Sequence, residues 1–280
     1  MTVFLYDKFV PEDQAVVSVF DRCFRYGDGL FEAILVSRGK MFRWPQHFAR
    51  FRRSAEFLSI QMPYSRDKLF AIASELITRN EAQHAMLRLQ LSRGVGPRGY
   101  APTGEERPMI VMTLHPAPER EMPRRAWALT VGSLRVAPRD SLANHKTCSR
   151  LLQVFASAEA RERGADECLI VNTNGDVTEG STSNVFWIEG ATIYTPPLTE
   201  GALPGITRAV VFECCGLLGL RCEERAARVD RLAGSDGVFL SLTSRGVVEV
   251  GSIDGRALRR SPVVRQLQEQ MDKLLVAECS

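Results

Sequence analysis

The chain has 280 residues, with 36 Lys+Arg against 33 Asp+Glu, a formal net charge of +3 and 45% hydrophobic residues. That is the profile of an ordinary globular chain, long enough for one large core or two moderate ones, and it excludes fibrous and disordered classes. No apolar run approaches the roughly 20 residues of a membrane-spanning helix. Asp7, Glu12 and Asp13 predict no secretory signal, and the balanced charge, with no basic stripe, predicts no nucleic-acid partner.

In chain order, residues 3–6, 30–36 and 41–44 read as strands, the last after the Ser37-Arg38-Gly39-Lys40 turn. Pro45 suits the start of a helix, and Phe48, Phe51, Ala55 and Leu58 recur at helical spacing behind it. A second helix is predicted over residues 65–79, then strands over 85–92 and 109–114 on either side of a Gly- and Pro-rich loop at 93–107. Residues 115–125, crowded with proline and charge, read as a linker, so the expected organisation is a lobe at 1–114 and a larger one at 126–280. The second lobe is predicted to run through a strand at 127–136, a helix at 148–163 stopped by Gly164, and strands at 167–172, 185–188 and 192–195. A helix at 205–219, strands at 238–242 and 247–250, and a final helix capped by Ser261-Pro262 complete it. Without regular βαβ alternation, a doubly wound parallel sheet is not favoured.

Seven cysteines, an odd number with no Cys-x-x-Cys pair and no zinc spacing to the four histidines, predict reduced thiols in a cytoplasmic protein and no metal site. Residues 94–99 match the Gly-x-Gly-x-x-Gly dinucleotide fingerprint, but Tyr100-Ala101-Pro102-Thr103-Gly104 cannot open the helix that fingerprint requires. The better reading is a flexible loop carrying Arg98 and Tyr100 over a pocket.

Only five lysines accompany 31 arginines, so a catalytic amine has few sources. Lys146 stands between a predicted strand and a predicted helix in a stretch poor in other charge, and partial desolvation there would favour a nucleophilic amine. Pro204-Gly205-Ile206-Thr207 opens an apolar helix whose first N–H groups suit an anion. Arg50, one turn into its helix after His47, and the hydroxyls of Ser241-Leu242-Thr243-Ser244 are further anion ligands. Glu179 lies in a turn where a carboxylate would keep a heteroaromatic nitrogen protonated. Taken singly, each has an ordinary structural explanation.

Together these residues resemble the class IV aminotransferase family, the fold-type IV pyridoxal-phosphate enzymes, over nearly the whole chain. The likeness runs from Asp21-Arg22 and residues 25–32 (RYGDGLFE), through His47-x-x-Arg50 and Lys146, to residues 179–186 (EGSTSNVF), Thr195-Pro196-Pro197 and residues 203–208 (LPGITR). It implies an α+β fold of two lobes, a small N-terminal α/β lobe and a larger C-terminal pseudo-barrel, with pyridoxal 5'-phosphate between them, and a homodimer. It implies that Lys146 carries the cofactor as a Schiff base and shuttles the substrate proton. By the same likeness Glu179 pairs with the pyridine nitrogen, Arg50, Ile206, Thr207 and Thr243 hold the phosphate, and Phe31, Arg98 and Tyr100 meet the substrate.

Among subtypes, Leu151 stands where branched-chain enzymes usually carry Tyr, and Arg98-Gly99-Tyr100 is half of the Arg-x-His pattern of D-amino-acid enzymes. Residues 92–100, together with Arg150-Leu151-x-Gln153-Val154, resemble aminodeoxychorismate lyases, whereas Ala33 and Ser149 depart from them. The leading expectation is an aminotransferase acting on an amino acid (a D-amino acid or another small substrate) and a 2-oxo acid. The alternatives are a 4-amino-4-deoxychorismate lyase releasing pyruvate and 4-aminobenzoate, and an (R)-amine transaminase.

Overall fold

A computed structural model describes residues 1–118 and 124–280. By contact the chain divides into two units, the first comprising Met1–Ala117, His145–Arg150 and Leu275–Ser280, the second Pro118–Asn144 and Leu151–Leu274. Both combine helix and sheet.

In the first unit, β1 (Thr2–Leu5), β2 (Lys8–Pro11), β3 (Gly29–Ser37), β4 (Lys40–Met41), β5 (His84–Ser92) and β6 (Met109–Pro116) form a six-stranded sheet in the order β2-β1-β6-β5-β3-β4. Every pairing in it is antiparallel. Alternation along the central strands makes the two faces different. Leu30, Ile34 and Val36 of β3, with Leu87, Leu89 and Leu91 of β5, enter a core closed by α2 (Trp44–Phe57) and α3 (Arg66–Arg79). The opposite face carries Phe31 and Ala33, cross-strand from Gln90 and Arg88. A short helix, α1 (Arg22–Tyr26), is capped by Asp21, whose carboxylate accepts from the backbone N–H of Cys23 and Phe24 and from Ser92 Oγ. It ends on Gly27 at φ 68°.

The second unit contains β7 (Trp127–Val136), α4 (Leu151–Glu162), β8 (Glu167–Asn172), β9 (Val177–Gly180), β10 (Asn184–Glu189), β11 (Thr192–Thr195) and α5 (Ile206–Leu218). It continues with β12 (Arg221–Glu224), α6 (Val229–Gly234), β13 (Gly237–Leu242), β14 (Gly246–Ile253), β15 (Arg256–Ala257) and α7 (Pro262–Cys279), whose last residues cluster with the first unit. Nine strands form a mixed sheet in the order β12-β11-β10-β13-β14-β7-β8-β9, with β15 on β14. β8 and β13 are buried along their whole length, so their middles, residues 168–171 and 238–240, are apolar without a polar alternate. Val185, Trp187, Val238, Leu240 and Val250 build the core on one face. On the other, Phe186 and Phe239 stack 4.9 Å apart beneath Phe212 of α5.

Three expectations change. The strand predicted at 41–44 stops at Met41, because Arg43 adopts φ 59° and turns the chain into α2 at Trp44. The helix predicted from 148 begins at Leu151, because the residues before it bond to a strand instead. The linker predicted at 115–125 loses its first two residues to β6, and its residues 119–123 lie outside the described residues. The loop at 93–107 opens no helix; Arg22 holds it through Gly99 O at 3.0 Å and Tyr100 O at 2.6 Å.

Candidate active site

Lys146 is placed by backbone bonding to β3. Phe31 N donates to Lys146 O at 3.0 Å, Leu30 bridges Thr147, and Cys148 N donates to Gly29 O at 2.8 Å. The lysine therefore reaches the sheet face that carries Phe31, with its Nζ 4.6 Å from the centre of that ring. Arg88 and Arg150 approach the same ring, at 4.0 and 5.8 Å. Three cations around one aromatic ring concentrate positive charge there, each attracted to the ring quadrupole. Arg88 was missed by sequence reasoning. Its signal was a lone arginine between Leu87 and Leu89 in an alternating strand, which marks the face not packed on helices.

Across the same strand, Glu32 points the other way, into the helix-covered core, where it is 1% exposed. Arg50 of α2 grips it in a fork, Nε to Oε1 at 2.8 Å and Nη2 to Oε2 at 2.6 Å, and His47 Nδ1 lies 2.7 Å from Oε2. Since a carboxylate only accepts, the histidine donates from Nδ1. Burial alone would raise the Glu32 carboxyl, but the Arg50 charge and the bonds from Arg50 and His47 outweigh it and hold it at about 2. Burial also lowers His47 below its usual 6.5, against the opposing pull of Glu32. Arg50, expected as a phosphate ligand, thus has two of its five N–H donors committed to Glu32, which fixes the plane of the guanidinium.

Both shifts make acid destabilising. The unfolded histidine takes a proton below pH 6.5 and the folded one resists, so stability falls from there downward. The Glu32 contribution is complete above about 4.5 and is lost as pH falls toward 2. His47→Gln is expected to flatten the urea midpoint between pH 6.5 and 5 relative to the native chain, leaving the slope contributed by His145, whose pKa burial also lowers. An unchanged slope would refute the assignment.

In the second unit, α5 begins at Gly205 with no side chain capping it, so its first N–H groups, those of Ile206 and Thr207 among them, are presented for an anion. A Cβ at Gly205 would collide with Asn184 Oδ1, so the helix start packs directly on the first residue of β10. Asn184 pairs in register with Ser241 of β13, whose buried Oγ has no hydrogen-bond partner among the described residues. Thr243 lies half-buried in the turn that follows. Glu179 lies near the end of β9, with Oε2 accepting from Leu203 N at 2.8 Å and Asn184 Nδ2 at 3.2 Å. Asn184 also donates to Leu203 O at 2.9 Å. An uncapped helix start and an orphan hydroxyl fit a phosphate, and a buried carboxylate fits a ring N–H. Ser241 had been named among the hydroxyls suited to an anion, whereas Asn184 had been visible only as a letter in a polar run.

The structure thus joins Lys146 with Phe31, and Glu179 with the Gly205 helix start. Arg98 and Tyr100 stand exposed on the 93–107 loop; Tyr100, 86% exposed, packs against Tyr26. Among the described residues, neither shares a hydrogen bond, ion pair or ring contact with Lys146 or Phe31.

The sequence profile described as Amino-transferase class IV matches residues 29–253. A D-alanine aminotransferase of Staphylococcus haemolyticus is 33% identical over 284 residues, covering 99% of each chain. Among solved structures, the pyridoxal-phosphate-bound form of a hypothetical aminotransferase from Mycobacterium tuberculosis superposes with a TM-score of 0.89 at 25% identity, covering 99% of this chain and 100% of that one. The 4-amino-4-deoxychorismate lyase of Pseudomonas aeruginosa gives 0.87 at 28% identity, over 97% and 98%.

Proposed function

Because the chain belongs to the class IV aminotransferase family, we propose that it is a pyridoxal-phosphate enzyme moving an amino group between a small amino acid and a 2-oxo acid, with Lys146 as its catalytic amine. The observation that carries this is the seating of Lys146 on β3, its Nζ 4.6 Å from the Phe31 ring. Bound pyridoxal phosphate supplies a carbonyl for amines and a ring that withdraws electrons from the carbon beside the substrate nitrogen. Lys146 Nζ would hold that carbonyl covalently and would serve as the base that moves the proton at the substrate carbon. Glu179 would hold the ring nitrogen's proton, and Arg50, the N–H groups of Ile206 and Thr207 and the hydroxyl of Thr243 would hold the phosphate. Phe31 and Arg88 face the substrate, and the positive charge there suits a carboxylate-bearing one.

The test offers purified protein D-alanine, a branched L-amino acid and aminodeoxychorismate separately, and identifies the products. Oxo-acid formation with amino transfer supports the proposal. Pyruvate with 4-aminobenzoate would establish instead the lyase reading, which the Pseudomonas aeruginosa lyase match favours. Gly205→Ala probes the phosphate end. The backbone there, at φ −63°, accepts alanine, so its effect comes from displacing Asn184. We expect about tenfold weaker retention of pyridoxal phosphate on dialysis, the cost of one charge-assisted bond.

A homodimer and a cytoplasmic location complete the proposal. Val16, Val19, Phe20 and Phe24 form an exposed apolar run of the kind that marks an interface, and all seven cysteines are thiols. No helix among the described residues is long and apolar enough to cross a membrane. Light scattering should give twice the chain mass.

A further inference from the structure

We propose that Glu167 is a positioning residue for Glu179, an inference that rests on the cofactor reading above. Glu167 opens β8 and is 2% exposed. Its Oε1 accepts from Ser181 Oγ, and from Ser181 N and Cys168 N at 3.0 Å each. Its Oε2 accepts from Thr182 Oγ1 at 2.6 Å, Thr182 N at 3.2 Å and Ser183 Oγ at 3.2 Å. All but one of these donors belong to residues 181–183, the turn between β9 and β10. Ser157 Oγ of α4 adds a bond to Ser181 Oγ at 2.9 Å.

The turn leaves little room for other arrangements. Gly180 N donates to Ser183 O at 2.7 Å. A Cβ on Gly180 would strike Ser183 Oγ and approach Glu167 Cγ to 3.1 Å, so the glycine is demanded by the clamp beside it. Immediately flanking the Gly180–Ser183 turn stand Glu179 and Asn184, which bond to each other and, through Leu203, to the segment leading into α5. A short turn whose flanks must meet within a hydrogen bond passes any relaxation to both. Neutralising Glu167 would strand several buried donors. They would recover partners only by reshaping the turn, and Glu179 would move with it.

With pyridoxal phosphate bound, a well-held Glu179 would keep the ring nitrogen protonated, and conjugation would then lower the basicity of the nitrogen that Lys146 contributes. Loosening Glu179 raises it. The experiment loads native protein, Glu167→Gln, Glu179→Gln and the double variant with pyridoxal phosphate, then follows the bound-cofactor absorbance against pH and its retention on dialysis. Glu167→Gln is expected to raise the pH midpoint in the same direction as Glu179→Gln and to weaken retention about tenfold. In the Glu179→Gln background it should change neither further. A native midpoint in Glu167→Gln, or an equal shift in the Glu179→Gln background, overturns the proposal. If Glu167→Gln fails to fold, Thr182→Val removes one hydroxyl donor and should give a smaller shift of the same sign; no shift overturns the proposal. Native protein that takes up no pyridoxal phosphate would overturn the functional reading itself, an outcome distinct from an unmoved midpoint.

Discussion

Lys146→Ala should lower turnover by about 10⁴-fold or more, because the variant loses both the covalent anchor and the group that moves the substrate proton. Initial rates measure the loss. Borohydride reduction of loaded native protein followed by peptide mapping should place the cofactor's mass on residue 146. Lys146→Arg should not restore the rate, since a guanidinium stays protonated and is no amine nucleophile. Trapped label on any of the other four lysines, or substantial activity in Lys146→Ala, would remove the foundation of the assignment.

Glu32→Ala is the substitution with the largest expected effect on stability. It leaves the Arg50 guanidinium 5% exposed with the carboxylate that holds it gone. Removing one partner of a buried pair costs about 3–5 kcal/mol, readable as a fall in the urea midpoint. The surface pair Arg79–Glu75, close to half-exposed on both sides at 2.6 Å, provides the control. There Glu75→Ala should cost no more than about 1 kcal/mol. Equal losses would mean that the buried network is no more than a surface pair in effect. The same variant should also weaken retention of pyridoxal phosphate, since Arg50 would lose the fork that fixes its plane.

Periodic and punctuated segments were legible in the sequence. The strands at 167–172 and 192–195 match their observed bounds, and Gly205 and Gly219 bracket α5 as expected. What stayed hidden depends on contacts distant in sequence. The helix after Lys146 starts late because Gly29 and Phe31 capture residues 146–148, and no local propensity encodes that capture. The short strands β2, β9 and β12 carry proline, glycine or charge in place of an apolar pattern and exist through their partners. In the candidate site, residues with a chemical signature of their own, Lys146, Arg50 and Glu179, were singled out. Those defined by what they pack against were not: Arg88 shows only once the sheet face is known, and Glu32 only once His47 and Arg50 converge on it.

The small unit is not finished where its sheet ends. Leu275 and Cys279, at the far end of α7, bury against Leu35, Phe42 and Met86, and Arg43, the residue that turns the chain into α2, lies 2.9 Å from Glu278. During synthesis the amino-terminal half therefore waits, its β3 surface uncovered, until residue 279 has emerged from the ribosome. A chain that usually matures from its first domain onward must here hold an incomplete hydrophobic seam through most of its translation, and nascent-chain chaperones or premature aggregation would act in that interval.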